Sequence, residues 1–500
     1  MGVNDLWKIL EPVKRNEDLS SLRGKKLCVD LSCWICEFQS AKALQENVPS
    51  PHLRNLLFRV LYLSTRLGVK LVFVIDGEPP ELKWDAIVKR IQARNGEQSG
   101  HLSPPGGRRI GRSHFAQWVN ECCTLLKLLG IPYIESPGEG EALCAWLDLL
   151  KIVDGCITSD GDAFLYGART VYRDLPVSGK SKGSSVDCYR IEELKSQLNL
   201  SRENLVGLAV LLGCDYLPQG VPQVGKIKAM ELIQNIKPDN LIQRFHKWTA
   251  MGTFSDQDLS CIEKSIKCKA LKDKSFPHPK VIQEYLQDPK VPQQFSFQTF
   301  CPDIQKLQEF CLKNLKWNEE KTTEKIQPLI TYWQMTSLLE KNITTFVQPE
   351  KIVKARVQQK VECYEVEWKN LELGEACPAY FVTVEPRELF AQVYPDPVKK
   401  FNEEQAEQNS KKQKKSNCTS RTKNSKPEGT QSTPRIDSFF KNVKRKKESK
   451  QQEVEQGFPS EEQSEVILET PSVKKLRLTA NGTKTSALQP TEEVIVITDD

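Results

Sequence analysis

The chain has 500 residues, 39% of them hydrophobic, and 71 Lys and Arg against 65 Asp and Glu give a net charge of +6. That length allows two to four domains and a sizeable core, while the hydrophobic share is slightly low for a wholly globular chain, so a disordered portion is expected. No secretory leader is read and no apolar run approaches the roughly 20 residues of a bilayer span, which argues against a membrane protein; the 16 cysteines show no paired zinc spacing and fit a reducing compartment.

The first strong element, KKLCVDLS (25–32), reads as a buried strand ending at Asp30. Residues 33–44 read as a helix, and Cys33 and Cys36, the only C-x-x-C, as buried reduced thiols. Residues 51–67 form a strong amphipathic pattern with Pro in the first turn. KLVFVIDG (70–77) is a second apolar strand, delivering Asp76 at its end. Residues 79–95 look helical and basic, with Lys83, Lys89, Arg90 and Arg94 recurring near helical spacing, which by itself suits a solvated face. The Gly-, Pro-, Ser- and Arg-rich stretch 96–111 reads as a loop, 114–129 as a helix capped by Ser113, and 131–135 as a short strand.

The stretch 136–166 carries the chemistry. Glu139 and Glu141 open a helix over 142–150, where the positive end of the helix dipole tolerates negative charge. Asp160 and Asp162 follow a short strand over 155–158. The strand–helix alternation predicts an α/β fold, a mainly parallel central sheet with helices on both faces. In such sheets the C-terminal strand ends share one crevice. Asp30, Asp76, Glu139, Glu141, Asp160 and Asp162 are therefore candidates for one acidic cluster. Carboxylates this close repel unless a cation sits among them, and a hard oxygen donor set points to Mg²⁺ or Mn²⁺.

Strands are expected at 170–175 and 186–189, and helices at 191–198 and 202–212. Next comes GCDYLPQGVPQVGKIK, which places a seventh acid, Asp215, in a turn and frames a loop with Gly220, Val221 and Gly225. The helix it opens begins with Lys226 and Lys228. Free N–H groups at a helix start bind phosphate, so this reads as a clamp on a DNA backbone.

Taken in order, MGVNDLW, VDLS, FVIDGEPPELK, GEGEA, TSDGDAFLYG and LLGCDYLPQGVPQVG resemble the XPG/flap-endonuclease superfamily of structure-specific nucleases, nearest the GEN-type Holliday junction resolvases, over roughly residues 1–345. The resemblance implies a nuclease core with a helix-two-turn-helix. Its seven acids would hold two divalent metals and hydrolyse DNA to a 5′-phosphate and a 3′-hydroxyl. Lys83 and Arg90 fall on arch-helix positions that contact the scissile phosphate, which overrides the solvated-face reading. Gly2 matches a start that packs near the DNA junction, and the Gly220–Gly225 loop matches a duplex clamp around K⁺. Two departures stand out. Cys36 occupies the place of the family's base-stacking tyrosine. The short 96–111 loop suggests an open arch, suited to a four-way junction that cannot be threaded.

Residues 346–398 begin afresh, with two alternating strands, a third at AYFVTVEP and a closing helix, resembling a chromodomain. Tyr364, Trp368 and Tyr380 are candidates for a methyl-lysine cage, though core aromatics of a small sheet are the preferred reading. From about Asn402 the composition predicts disorder. The basic clusters at 411–415 and 444–447 suit nuclear import, DNA contact or solvated charge. Ile436, Phe439 and Phe440 resemble a PCNA-binding peptide with Thr433 where a Gln is usual. Val494, Ile495, Val496 and Ile497, flanked by acids, resemble a SUMO-interacting motif, a run able to add to a partner's sheet edge.

The expected organisation is thus an N-terminal nuclease region (1–95), an arch loop (96–112), an internal nuclease region (113–212), a helical C-terminal nuclease region (213–345), a chromodomain-like module (346–400) and a tail (401–500). The expected activity is nuclear resolution of Holliday junctions in recombination and repair, by paired symmetric nicks from a monomer that dimerises on the junction. The alternatives are a 5′-flap or fork endonuclease and a catalytically idle junction scaffold; the intact acid set argues against the latter.

Overall fold

A computed structural model describes residues 2–40, 49–84, 113–175, 185–250, 259–292, 294–340, 345–358, 361–374, 376–419 and 494–496. The chain falls into two compact units, Met1–Pro395 with Glu469–Asp500, and Asp396–Leu468.

The first unit is built on a seven-stranded sheet of β1 (Arg15–Asp18), β2 (Lys26–Asp30), β3 (Lys70–Ile75), β4 (Tyr133–Glu135), β5 (Cys156–Ile157), β6 (Thr170–Arg173) and β7 (Ser185–Arg190), in the order β1-β7-β6-β5-β2-β3-β4. The run from β6 to β4 is parallel. β2 and β3 are near-continuous apolar runs because both of their faces are covered. Val72 and Val74 pack in the same core as Leu143 and Leu147 of helix Gly140–Leu149. Phe73, turned to the other face by the pleat, meets Trp34 of helix Leu31–Ser40 edge-on at 5.4 Å. Helices on both faces therefore bury the sheet, as the alternation predicts.

Two features differ from the sequence reading. β7 runs antiparallel to β6 and to the edge strand β1, and β1, reading RNED, is too polar to register as a strand; polar residues suit an exposed edge. The helix beginning at Pro51 is α-helical only to Leu61 and widens to π geometry over Tyr62–Arg66. There the Thr65 hydroxyl donates to the Leu61 carbonyl at 2.7 Å, competing with the backbone ladder. Of the basic helix expected over 79–95, the described residues include a short turn, Glu81–Lys83, and Trp84 in helical geometry; its remainder and the 96–111 loop lie outside the described residues.

A helical layer follows the sheet: Arg202–Leu212, Lys226–Asn235, Leu241–Thr249, Cys261–Ala270, Pro279–Leu286, Ile304–Leu315 and Glu319–Leu339. A separate sheet, β11-β10-β9, comprises β9 (Val347–Gln358), β10 (Val361–Asn370) and β11 (Tyr380–Pro386), and helix Arg387–Val393 packs on it. Its core is aromatic. Tyr364, Trp368 and Phe390 are buried, with rings 5.9–6.0 Å apart. Trp368 Nε1 donates to Thr383 Oγ1 at 2.7 Å. Tyr364 and Trp368 are thus core residues, as preferred over a cage, and Tyr380 is exposed.

A helix runs Pro395–Thr419, into the first part of the stretch whose composition predicts disorder. Its sequence is rich in Glu, Gln and Lys, good helix formers, with Asp396 in the first turn, where the helix dipole favours an acid. The strand β12 (Val494–Val496) pairs antiparallel with β8 (Gln294–Ser296) of the same chain. The β-prone run thus pairs with a strand edge within its own unit. Ile436, Phe439, Phe440 and Ile497 lie outside the described residues. Among the described residues, no helix is long and apolar enough to cross a membrane, and the cysteines are free thiols, Cys33 buried and Cys36 half-buried.

Candidate active site

β5, β2 and β3 are neighbours and run parallel, so their C-terminal ends open on one side. Asp30 ends β2 and Asp76 follows β3. Glu139 is the N-cap of helix Gly140–Leu149, with Glu141 in its first turn. Asp160 follows β5, Asp162 opens the short helix Asp162–Leu165, and Asp215 follows helix Arg202–Leu212. Asp30, Glu139, Asp160, Asp162 and Asp215 are buried, Glu141 is half-buried and Asp76 exposed.

Specific contacts bring them together. Lys83 Nζ lies 2.5 Å from Glu139 Oε2 and 3.8 Å from Asp215 Oδ2. Gly140 N–H donates to Asp76 Oδ1 at 2.8 Å, tying the β3 end to the helix that carries Glu139 and Glu141. Asp30 Oδ1 accepts the Cys33 N–H at 3.2 Å, so this acid also caps the helix after it. Val3 N–H donates to Asp162 Oδ1 at 2.7 Å and Gly2 N–H to Asp215 Oδ1 at 3.3 Å. The start of the chain is therefore threaded among the acids. Gly2 sits at φ +82°, and a Cβ there would lie 1.7 Å from Asp160 Oδ1 and 2.5 Å from Asp162 Oδ1. No other residue type fits without moving those carboxylates.

The electrostatics show strain. Burial pushes Glu139 up to about 7, aided by Glu141 and Asp76 and opposed by Lys83. Burial likewise holds Asp162 at about 7, reinforced by Asp215 and Glu141. Desolvation works against the Lys83 ammonium, but Glu139, Glu141, Tyr216 and Asp215 together carry it well above its ordinary value. Among the described residues, no three His, Cys, Asp or Glu side chains are drawn together tightly enough to hold an ion as they stand; the acids lean instead on Lys83 and on backbone N–H groups. Glu139 and Asp162, raised first by burial and then by neighbouring acids, stand among groups that all offer hard oxygen, which suits a divalent cation such as Mg²⁺.

A second feature lies beyond Asp215. Gly220 sits at φ +57°, and a Cβ there would approach Gly213 N to 2.5 Å and Leu211 O to 2.6 Å. Val221 N–H closes the turn on Leu211 O at 2.9 Å. Gly225 is the N-cap of helix Lys226–Asn235, no side chain caps that start, and Gly225 and Lys228 face solvent with Lys226 half-exposed. Asn4 stitches this loop to the chain start, donating to Gly213 O from its N–H at 3.0 Å and to Leu212 O from Nδ2 at 2.9 Å. Arg90 lies outside the described residues. Sequence reasoning missed Tyr285, whose hydroxyl donates to Asp162 Oδ2 at 2.8 Å, and Asn4; neither belongs to an acidic or basic pattern.

Residues 1–97 match the XPG N-terminal domain, 130–215 the XPG I-region and 348–403 chromatin organization modifier domain 2. The chain is 39% identical over 479 residues to the Flap endonuclease GEN homolog 1 of Homo sapiens, covering 83% of this chain and 52% of that protein. It thus spans about half the length of the curated human and mouse relatives. It is 34% identical to Single-strand DNA endonuclease 1 of Oryza sativa subsp. japonica, over 83% of this chain and 68% of that protein. The crystal structure of human GEN1 in complex with Holliday junction DNA superposes with a TM-score of 0.67 at 39% identity, covering 82% of this chain and all of that one. With its ordered acids, its sheet and these likenesses in agreement, the chain belongs to the XPG/flap-endonuclease family.

Proposed function

We propose that this chain is a divalent-metal-dependent, structure-specific DNA endonuclease that resolves Holliday junctions by paired symmetric nicks. The observation that carries the reading is the gathering of buried carboxylates, Glu139 and Asp215 on Lys83 and Asp160 and Asp162 beside Gly2, near a glycine-framed helix start. The similarity to human GEN1, solved with Holliday junction DNA, supports a four-way junction as substrate.

Asp30, Asp76, Glu139, Glu141, Asp160, Asp162 and Asp215 would hold the metal, enough acids for two ions of Mg²⁺ or Mn²⁺. Bound there, the metal supplies a hydroxide nucleophile and neutralises charge on the scissile phosphate. The chain's own groups do the rest. Lys83, kept protonated by its acids, exchanges Glu139 for the incoming phosphate. Arg90 adds a second cation. Gly2 leaves a gap where a side chain would block the acids. The N–H groups after Gly225, with Lys226 and Lys228, grip the duplex backbone several residues away, the Gly220–Gly225 loop holding K⁺. Two copies act on one junction. The basic tail segments direct the chain to the nucleus, Ile436, Phe439 and Phe440 engage PCNA, and the 494–497 run engages SUMO when released from β8.

The test is cleavage of a mobile four-way junction beside a 5′ flap in Mg²⁺, with the full chain and with Asp30→Asn. Paired symmetric nicks by the first are expected. The variant should lose activity by more than the roughly 100-fold that loss of an outer-shell partner costs, while still binding the junction in Ca²⁺. Cutting of the flap alone, or metal-independent cutting, refutes the reading.

A further inference from the structure

Tyr285 lies on helix Pro279–Leu286, in the helical layer beyond the proposed duplex grip, and is fully buried. A buried tyrosine hydroxyl needs a partner. Two neighbours, Tyr166 and Tyr216, satisfy each other at 2.5 Å between hydroxyls. Tyr285, whose ring stands 5.1 Å and 5.0 Å from theirs, instead reaches Asp162 Oδ2 at 2.8 Å, across 123 residues of sequence. The other oxygen, Oδ1, accepts the Val3 N–H at 2.7 Å.

Each Asp162 oxygen is thus engaged by one protein donor. A carboxylate has about four acceptor sites on its two oxygens, so lone pairs remain for a further ligand while the two donors set the plane of the group. The backbone that carries this hydroxyl is itself held. Arg202 Nη2 donates to the Tyr285 carbonyl at 2.6 Å, and its Nε donates to Leu165 O at 2.8 Å. One guanidinium therefore pins both the helix that carries Tyr285 and the short helix that Asp162 opens.

We infer that Tyr285 is a positioning residue: its hydroxyl fixes the plane of the Asp162 carboxylate for divalent-metal binding. This rests on the metal-dependent reading above. Groups that orient a ligand in this way typically change metal affinity or activity about 10–100-fold when removed. The packing alternative, a tyrosine that merely fills space, predicts no specific effect of losing one oxygen atom.

The test uses the full chain and Mn²⁺, whose free and bound forms electron paramagnetic resonance separates without any turnover. Tyr285→Phe keeps the ring and removes the hydroxyl. Its Mn²⁺ affinity should fall about tenfold or more, its binding to a four-way junction in Ca²⁺ should hold, and raising Mn²⁺ should recover nicking. In an Asp162→Asn background the same change should add nothing, because the group it orients is gone. Equal Mn²⁺ affinity with and without the hydroxyl overturns the inference alone, and so does a full additional loss in the Asp162→Asn background. An unaltered chain that binds no Mn²⁺ overturns both this inference and the metal-dependent reading.

Discussion

Two places in this molecule bury carboxylates, and they do so in opposite ways. In the β9–β11 sheet, Glu385 is almost wholly buried, and its Oε1 accepts from Thr331 Oγ1 at 2.6 Å and from Thr383 Oγ1. Burial pushes it up, while the two hydroxyls and nearby Arg66 pull it back. Arg66 also donates to the Val384 carbonyl at 2.6 Å. Two donors of its own meet one oxygen of this acid, and it joins helix Glu319–Leu339 to β11. At the strand ends of the larger sheet, several acids share one lysine and a few N–H groups, and two of them sit near 7. The first arrangement stabilises a joint between elements. The second stores repulsion that an incoming cation relieves, which suits a site whose natural occupant is not part of the chain.

The contrast can be tested from both sides. The largest effect is expected for Lys83→Ala, with turnover on a four-way junction falling about 10²–10³-fold, the range for loss of a charge-stabilising donor, and junction affinity in Ca²⁺ changing little. A parallel collapse of binding would make Lys83 an ordinary DNA contact. Thr331→Val probes the other acid. It should cost about 1–3 kcal/mol in urea unfolding, the penalty of leaving a buried polar group short of a partner, with nicking per folded molecule unchanged. A change in nicking would mean that the small sheet takes part in the chemistry.

A smaller effect separates the two sites by pH. Glu139 and Asp162 stand near 7 against ordinary values of 4.5 and 3.8. The folded state therefore binds more protons than the unfolded one across roughly pH 4–7, and stability falls as pH rises through that window. Metal-free protein should melt several degrees lower at pH 7.5 than at pH 5.5, and Mg²⁺ should close most of that gap. A gap indifferent to Mg²⁺ would place its source elsewhere. The smallest effect is that of Lys226→Ala, which should weaken binding alike on all sequences and lower the salt slope by about one; an unchanged slope removes Lys226 from the backbone grip.

Six of the seven acids were legible because each ends or follows an apolar strand or opens a helix, positions that pattern alone identifies; Asp215 follows a helix and was read from its turn. The parallel core was legible because β2 and β3 are near-continuous apolar runs. What pattern missed is non-local. β1 is strand only because β7 offers it an edge, and nothing in RNED says so. Tyr285 sits at an inward position of an amphipathic helix, where an aromatic reads as filling, and its partner Asp162 is 123 residues away. The helix over Pro395–Thr419 was hidden by its polarity, because a charged composition that suggests disorder is also a composition of good helix formers.

The glycine at position 2 has a practical consequence for handling the protein. With its N–H on Asp215 and no room for a side chain beside Asp160 and Asp162, Gly2 leaves little clearance for added chain beside the carboxylates. An affinity handle or fluorescent reporter is best placed away from it. A preparation that retains even a short leading peptide should be assayed for lost activity before any inactivity is blamed on the substrate.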